Sequence, residues 1–276
     1  MRYLVAVSGG VDSVVLLDML VKSAEDELIV AHFDHGIRSD SADDARFVEA
    51  LANSYGLPFI SKREELGAAS SEMLARERRY AFLRIAAKEH RARIVTAHHQ
   101  DDVLETIIIN IARGTGWRGL AVMGDKTIER PLLAFTKKYI YNYALKNQLE
   151  WVEDRTNMSD KYLRNRVRRK MPILSSDQRS QLVKLHDSQI MLADQIDEEA
   201  LIYMSNSRYF LTMIDEQSSI ELLRTWLHEQ GVSLTRPQRL RMLHAIKTAK
   251  PGHIFEAGAD CRITFTSREF IVKHPL

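Results

Sequence analysis

The sequence predicts an α/β fold: a parallel sheet sheathed in helices, followed by a smaller, mainly helical domain that ends in a small antiparallel sheet. Three observations predict it. Short apolar runs alternate with longer helical segments through the first half of the 276 residues, the alternation stops after Pro172, and the tail turns to period-two apolar spacing between turn residues. With 45% apolar content, a chain of this length can build two cores. The expected domains are residues 1–185 and 186–276.

Taken in order, strands are expected at 3–7, 28–33, 58–61 and 93–97. Helices are expected at 12–23, 40–55, 71–89 and 101–113, each opening on a Ser or Asp suited to capping the first amides. Beyond Pro172, segments 176–205, 219–230 and 237–250 read as helices, the last with Pro237 at its first position. Segments 253–257, 261–265 and 270–272, parted by Gly258 and polar turns, read as the antiparallel sheet.

Bulk chemistry excludes several classes. Cys261 is the only cysteine, so the chain holds no internal disulfide, CxxC pair or thiolate zinc cluster, and a reducing compartment suits it. No apolar run approaches the ~18 to 20 residues of a membrane helix, and the N-terminus begins on a strand-like run instead of a signal peptide. The expectation is a soluble cytoplasmic protein with no membrane partner. The net charge of +2 does not itself point to a polyanion, so charge distribution carries more information than the sum.

Ser8-Gly9-Gly10-Val11-Asp12-Ser13 follows a strand and opens a helix. Its amides and the helix N-terminus form an anion site, and glycine lets the backbone approach phosphate closely. It is neither a Walker loop, lacking Gly-Lys-Ser/Thr, nor the GxGxxG of dinucleotide folds. The second strand runs into Ala31-His32-Phe33-Asp34-His35-Gly36-Ile37-Arg38, at a carboxyl end where open α/β sheets bind ligands. There Asp34 and His35 suit adenosine or metal and Arg38 suits phosphate, whereas His32 and His35 read as satisfied strand-end histidines and not as zinc ligands.

The fourth strand leads into Thr96-Ala97-His98-His99-Gln100-Asp101-Asp102-Val103-Leu104-Glu105-Thr106. Asp101 or Asp102 with Glu105 shares a helix face, and like charges so close need a cation, Mg²⁺ or an ammonium group. One of the two aspartates is expected only to cap the helix. Arg113-Gly114-Thr115-Gly116-Trp117-Arg118-Gly119-Leu120 is a flexible cationic loop suited to phosphate or an RNA backbone, and Arg76 and Arg79 face together on their helix. Lys161-Tyr162-Leu163-Arg164-Asn165-Arg166-Val167-Arg168-Arg169-Lys170 holds six cations and no acid, with Tyr162 as a stacking surface, and reads as RNA-facing.

The Ser8 to Ser13 loop resembles that of the PP-loop ATP pyrophosphatases, whose adenine nucleotide alpha hydrolase-like fold the resemblance implies for the first domain. With FDHGIR at 33–38, ARERRY at 75–80, TAHHQDDVLET at 96–106, RGTGWRGL at 113–120, Arg130-Pro131-Leu132-Leu133 and Asp154-Arg155-Thr156-Asn157, residues 3–172 resemble the bacterial tRNA(Ile)-lysidine synthetase family. The segment from about 237 to 273 is similar to that family's first C-terminal domain, and the expectation is a short form without the second. The resemblance implies ATP, Mg²⁺ and free L-lysine acting on a tRNA(Ile) with a CAU anticodon: the wobble cytidine O2 is adenylated, then the lysine ε-amine displaces AMP, changing decoding from AUG to AUA.

On that resemblance, Asp12, Asp102, Glu105 and Arg79 are expected in catalysis and Asp12 and Asp101 on the metal. Ser8, Gly9, Gly10, Val11, Asp12, Ser13, Asp34, His35, Arg38, His98, Arg113 and Gly114 are expected on the nucleotide, and Arg164, Arg166, Arg168 and Arg169 on RNA. A tRNA base thiolase of the same fold is the alternative, disfavoured because sulfur delivery needs thiolates and the chain has one cysteine. The oligomeric state is left open, a homodimer being one option.

Overall fold

The computed structural model describes residues 1–23, 26–36, 41–67, 70–153, 163–258 and 261–273, except the side chains of Glu72, Leu163, Arg164, Asn165 and Pro172. Two compact units emerge, Met1–Asp187 and Ser188–Leu276.

The first unit alternates strand and helix: β1 (Arg2–Ala6), α1 (Val11–Ser23), β2 (Glu27–Asp34), α2 (Ser41–Ser54), β3 (Phe59–Arg63), α3 (Glu72–Glu89), β4 (Arg93–Val95) and α4 (Gln100–Ala112). Two further elements that periodicity does not show follow, β5 (Ile128–Glu129) and α5 (Lys137–Lys146), then α6 (Leu163–Lys170) and α7 (Ser176–Ile202), whose residues from Ser188 on belong to the second unit. The strands pair in parallel in the order β3-β2-β1-β4-β5. The chain therefore builds outward from β1 through β2 to β3, then returns to place β4 on the other side of β1. That reversal puts a crevice at the carboxyl ends of β1 and β4, where open sheets of this kind bind ligands.

Alternate strand residues feed two cores. Val5, Val7, Leu28, Val30 and Val95 pack with Val15, Leu16 and Leu17 of α1, Val48 and Ala52 of α2, and Ile140 and Ala144 of α5. Leu4, Ile29, Ala31 and Ile94 pack on the other face with Tyr80, Leu83, Ala86 and Ala87 of α3. Burying each large side chain stabilises by about 1.5–3 kcal/mol, so both faces hold the sheet. Inside the first core the carboxylate of Asp18, 3% exposed, accepts from Lys22 Nζ at 2.9 Å, Tyr55 Oη at 2.9 Å and Tyr143 Oη at 2.8 Å. Those bonds tie α1, and so the loop before it, to its neighbours.

The second unit holds α8 (Arg208–Met213), α9 (Glu216–Glu229), α10 (Arg236–Thr248) and an antiparallel sheet of β6 (Ile254–Gly258), β7 (Cys261–Phe265) and β8 (Phe270–Lys273). Leu223, Leu227, Met242, Ile246, Ile263 and Phe270 form its core. Arg208 closes the unit by donating to the carbonyls of Ile246, Ala249 and Thr266. No helix among the described residues is long and apolar enough to cross a membrane.

Candidate active site

The turn after β1 is built from its own residues. Gly9 sits at φ +90°, a conformation that side chains rarely adopt, with Phe47, Val48 and Val152 around it. Its carbonyl accepts from Val152 N at 3.0 Å. The Ser13 hydroxyl donates to Gly10 O at 2.8 Å and accepts from Ser8 N at 3.1 Å, which braces the loop from within. Ser13, expected on the nucleotide, carries this brace and also lines a cavity beside the loop. Gly10 O accepts from the amides of Ser13 at 3.0 Å and Val14 at 3.1 Å, and the amides of Val11 and Asp12 stand ahead of that first turn, at a helix start where anions are favoured.

A cavity of about 490 Å³ opens there, a size suited to a small-molecule ligand. Ser8, Gly10, Asp12 and Ser13 line one side; Asp34 and His35 at the end of β2, Arg79 and Leu83 of α3, and Thr96 and His98 after β4 line the rest. The sequence assigned most of these to the nucleotide, and the fold brings them together. Arg113, Gly114, Asp101, Asp102 and Glu105 do not line it. Arg38 lies outside the described residues, as do 154–162 and the Arg164 side chain.

The electrostatics differ by position. Asp34 accepts from Gly36 N at 2.9 Å and Arg63 at 2.8 Å. Burial pushes its carboxyl up, but the Gly36 amide, the Ser41 hydroxyl and Arg63 outweigh that and hold it below the usual range. Asp34 is thus the pin of the β2 turn. Burial, then Arg79, lowers the His35 pKa, and its Nδ1 is buried with no hydrogen-bond partner among the described residues. His98, held by Thr96 Oγ1 at 2.8 Å, is pushed down to about 3 by burial, with Arg79, Arg76 and Arg130 adding to the effect against the pull of Asp102. It stays a neutral imidazole at ordinary pH. His32 Nδ1 lies 2.9 Å from Val7 O, a satisfied strand-end histidine.

Asp12 meets a residue that the sequence reading missed. Lys137 Nζ lies 2.6 and 2.7 Å from its two oxygens. A signal was present: Thr136 caps α5 and is followed by Lys137 and Lys138, cations in a first turn where the helix dipole favours anions.

In the turn after β4 one aspartate caps the helix, as expected: His99 stands at the N-cap and its N donates to Asp102 Oδ2 at 3.1 Å in a capping box. Asp101, expected on the metal, accepts from Lys137 N at 2.6 Å and Arg179 at 2.7 Å, and those bonds outweigh burial to lower its pKa. Arg168 of α6 donates from Nε to Glu105 at 2.5 Å and lies 3.3 Å from Asp102. The acids do need a cation, as their spacing predicts, and the chain supplies a guanidinium. Arg168, expected on RNA, is thereby paired with the two acids while its side chain stays 42% exposed. Arg166 and Arg169, on the same helix, are exposed. His99 Nε2 lies 3.7 Å from Asp12 and 3.5 Å from Asp102, so it stands between the two turns.

Comparison with known proteins places this geometry. Residues 1–173 match the PP-loop domain family. Proteins named tRNA(Ile)-lysidine synthase are similar: 40% identity to that of Exiguobacterium sibiricum over 62% of this chain and 43% of the relative, 39% to that of Geobacter sulfurreducens over 73% and 45%, and 34% to that of Haemophilus ducreyi over 81% and 56%. The chain spans about half the length of these curated relatives. Among solved structures, a U34-tRNA thiolase from Methanococcus maripaludis with its [4Fe-4S] cluster shares the fold, with a TM-score of 0.58, 17% identity, and coverage of 70% of this chain and 72% of that one.

Proposed function

The chain belongs to the PP-loop family of ATP-binding domains, and from that premise we propose that it is a tRNA(Ile)-lysidine synthase. ATP adenylates O2 of the wobble cytidine in a CAU-anticodon tRNA(Ile) with loss of pyrophosphate. The ε-amine of free lysine then attacks C2, the C2–O bond breaks and AMP leaves. The observation that carries the proposal is the conjunction of the Ser8 to Ser13 loop and the acid pair Asp102–Glu105 at adjacent strand ends, in a chain 34–40% identical to proteins of that name.

In this proposal the loop amides and Ser8 hold the pyrophosphate half of ATP, and His35 with Leu83 borders the adenosine. Arg79 meets the phosphates. Among the described residues no group of three His, Cys, Asp or Glu side chains stands ready to cage a metal. Mg²⁺ carried on substrate phosphates needs only one or two carboxylates, so Asp12 suffices. When bound, Mg²⁺ neutralises charge developing on the phosphates. Asp102 and Glu105 orient the lysine ammonium, a pair already suited to a cation because it holds Arg168. Arg164, Arg166 and Arg169, the loop 113–120 and residues 186–276 engage tRNA, which places the protein's work in the cytoplasm.

A base thiolase is the poorer reading. Cys261 is the chain's single cysteine; it is buried in β7, and burial raises its thiol pKa.

The test is to incubate the protein with Mg²⁺, ATP, labelled lysine and a CAU-anticodon tRNA(Ile) transcript, measuring AMP release and lysine incorporation. Both should appear and depend on the tRNA. AMP release without lysine incorporation, or no reaction, sinks the proposal.

A further inference from the structure

Lys137 carries an inference beyond the proposed reaction, one that rests only on ATP being the ligand of the cavity. A carboxylate inside an anion site is a contradiction unless a cation accompanies it: Asp12 stands in the first turn of α1, where the phosphates would come, and by itself would repel them. Lys137 Nζ removes that charge with contacts of 2.6 and 2.7 Å to the two oxygens.

The ammonium is also aimed from behind. Lys137 is the first residue of α5; its amide, an orphan donor at a helix start, is received by Asp101 Oδ2 at 2.6 Å, and the other Asp101 oxygen is taken by Arg179 at 2.7 Å. Ile140 and Ala144, fully buried in the core shared with α1, fix the helix against the loop. The side chain itself is 44% exposed, so its head can move. A lysine with a fixed base and a mobile head beside a phosphate site is built to reach phosphate.

We propose that Lys137 is a polyphosphate-binding residue. Asp12 holds its ammonium beside the loop. With a nucleotide bound, Asp12 would serve Mg²⁺ carried on the phosphates and the Lys137 ammonium would be released to the β and γ phosphates. No Gly-Lys-Ser/Thr follows the loop, so the lysine that a Walker loop carries within itself comes here from a helix 125 residues away.

The test is calorimetric titration of the full chain, without tRNA or lysine, with inorganic pyrophosphate, ATP and AMP in Mg²⁺. For Lys137→Gln the expected result is pyrophosphate and ATP binding weakened about 10- to 100-fold, the scale of a lost charge-assisted contact, with AMP affinity unchanged. Lys137→Arg should recover most of the loss, and the exposed neighbour change Lys138→Gln should do nothing. In Lys137→Gln the Mg²⁺ concentration for half-maximal ATP binding should also fall, since Asp12 has lost its competing cation. Equal weakening of AMP and pyrophosphate would mean that Lys137 only shapes the loop, and unaltered pyrophosphate affinity would mean that it touches no phosphate; either overturns the proposal. Absence of ATP binding by the unaltered chain overturns the nucleotide reading itself, and this inference with it.

Discussion

Two strand-to-helix turns stand side by side at the carboxyl edge of the sheet, and they are finished in opposite ways. The turn from β1 to α1 is braced from inside, by Ser13 on Gly10 and Ser8, and its residues Ser8, Gly10, Asp12 and Ser13 line a cavity. The turn from β4 to α4 is filled: Asp101, Asp102 and Glu105 are all engaged by Arg179, Arg168 and the amides of Lys137 and His99. The same topology therefore gives an open anion site and a compensated acidic one. The first keeps its donors for a ligand, whereas the second uses the chain's own cations until another competes.

The largest expected effect breaks the first turn without disturbing the second. Asp12→Ala should lower tRNA-dependent AMP release by on the order of 10²–10³-fold, the scale of removing one preorganised electrostatic group. Its stability cost should stay within about 1 kcal/mol, because the pair it forms with Lys137 is 30% and 44% exposed and screened by water. Initial-rate kinetics beside amide hydrogen exchange in β1 measure both. A large drop in β1 protection would show that Asp12 is structural.

Glu105→Ala should disturb the second turn instead, and there the cost falls on stability as well as on lysine incorporation. Glu105 is 1% exposed and its carboxylate holds Arg168 against α4, so its loss removes a charge-assisted bond and leaves a void, for about 1–3 kcal/mol of stability. Arg168 is 42% exposed, and water reaching it keeps the cost below that of a fully buried orphan. Hydrogen exchange in α4 and β4 should speed up accordingly, with Glu105→Gln recovering part of the protection. Unchanged exchange would mean that the second turn is not held by this pair, and the contrast between the turns would fail.

That contrast also marks what the sequence could and could not tell. The parallel sheet was legible because 28–33 and 93–97 are apolar runs between amphipathic helices, and the open turn was legible because its geometry is local to six residues. The filled turn was legible only as a demand for a cation. Its answer comes from Arg168, 66 residues from Asp102, and Arg179, 78 residues from Asp101, separations that no periodicity encodes. β5 is two residues long and α8 is six, too short to show a period, and α5 hides its start behind first-turn lysines. The sequence left open which aspartate caps α4; the helix begins at Gln100, which gives the capping box to Asp102 and leaves Asp101 to receive the first amide of α5.

The last expected effect is absent at neutral pH, grows as the pH falls and concerns a histidine just after β4. His98 lines the cavity and feels the pull of Asp102, yet burial and the nearby arginines hold its pKa at about 3 when folded. An unfolded histidine takes its proton near 6.5. Between those values the unfolded chain binds a proton that the folded chain refuses, so the stability of the first unit is complete above pH 6.5 and declines as the pH falls. One such proton sets a slope of at most about 1.4 kcal/mol per pH unit. Asp34 and Asp101, whose folded pKa values are lowered, add their losses only below about 3.9, where an unfolded aspartate titrates. His35 shares the sign of His98, so the informative quantity is the difference between the unaltered chain and His98→Gln. Hydrogen exchange of β4 amides from pH 7 to 4, corrected for intrinsic rates, should show a shallower decline in the variant. Parallel curves would place water at the His98 ring, and a neutral imidazole in the wall of the cavity would have to be given up.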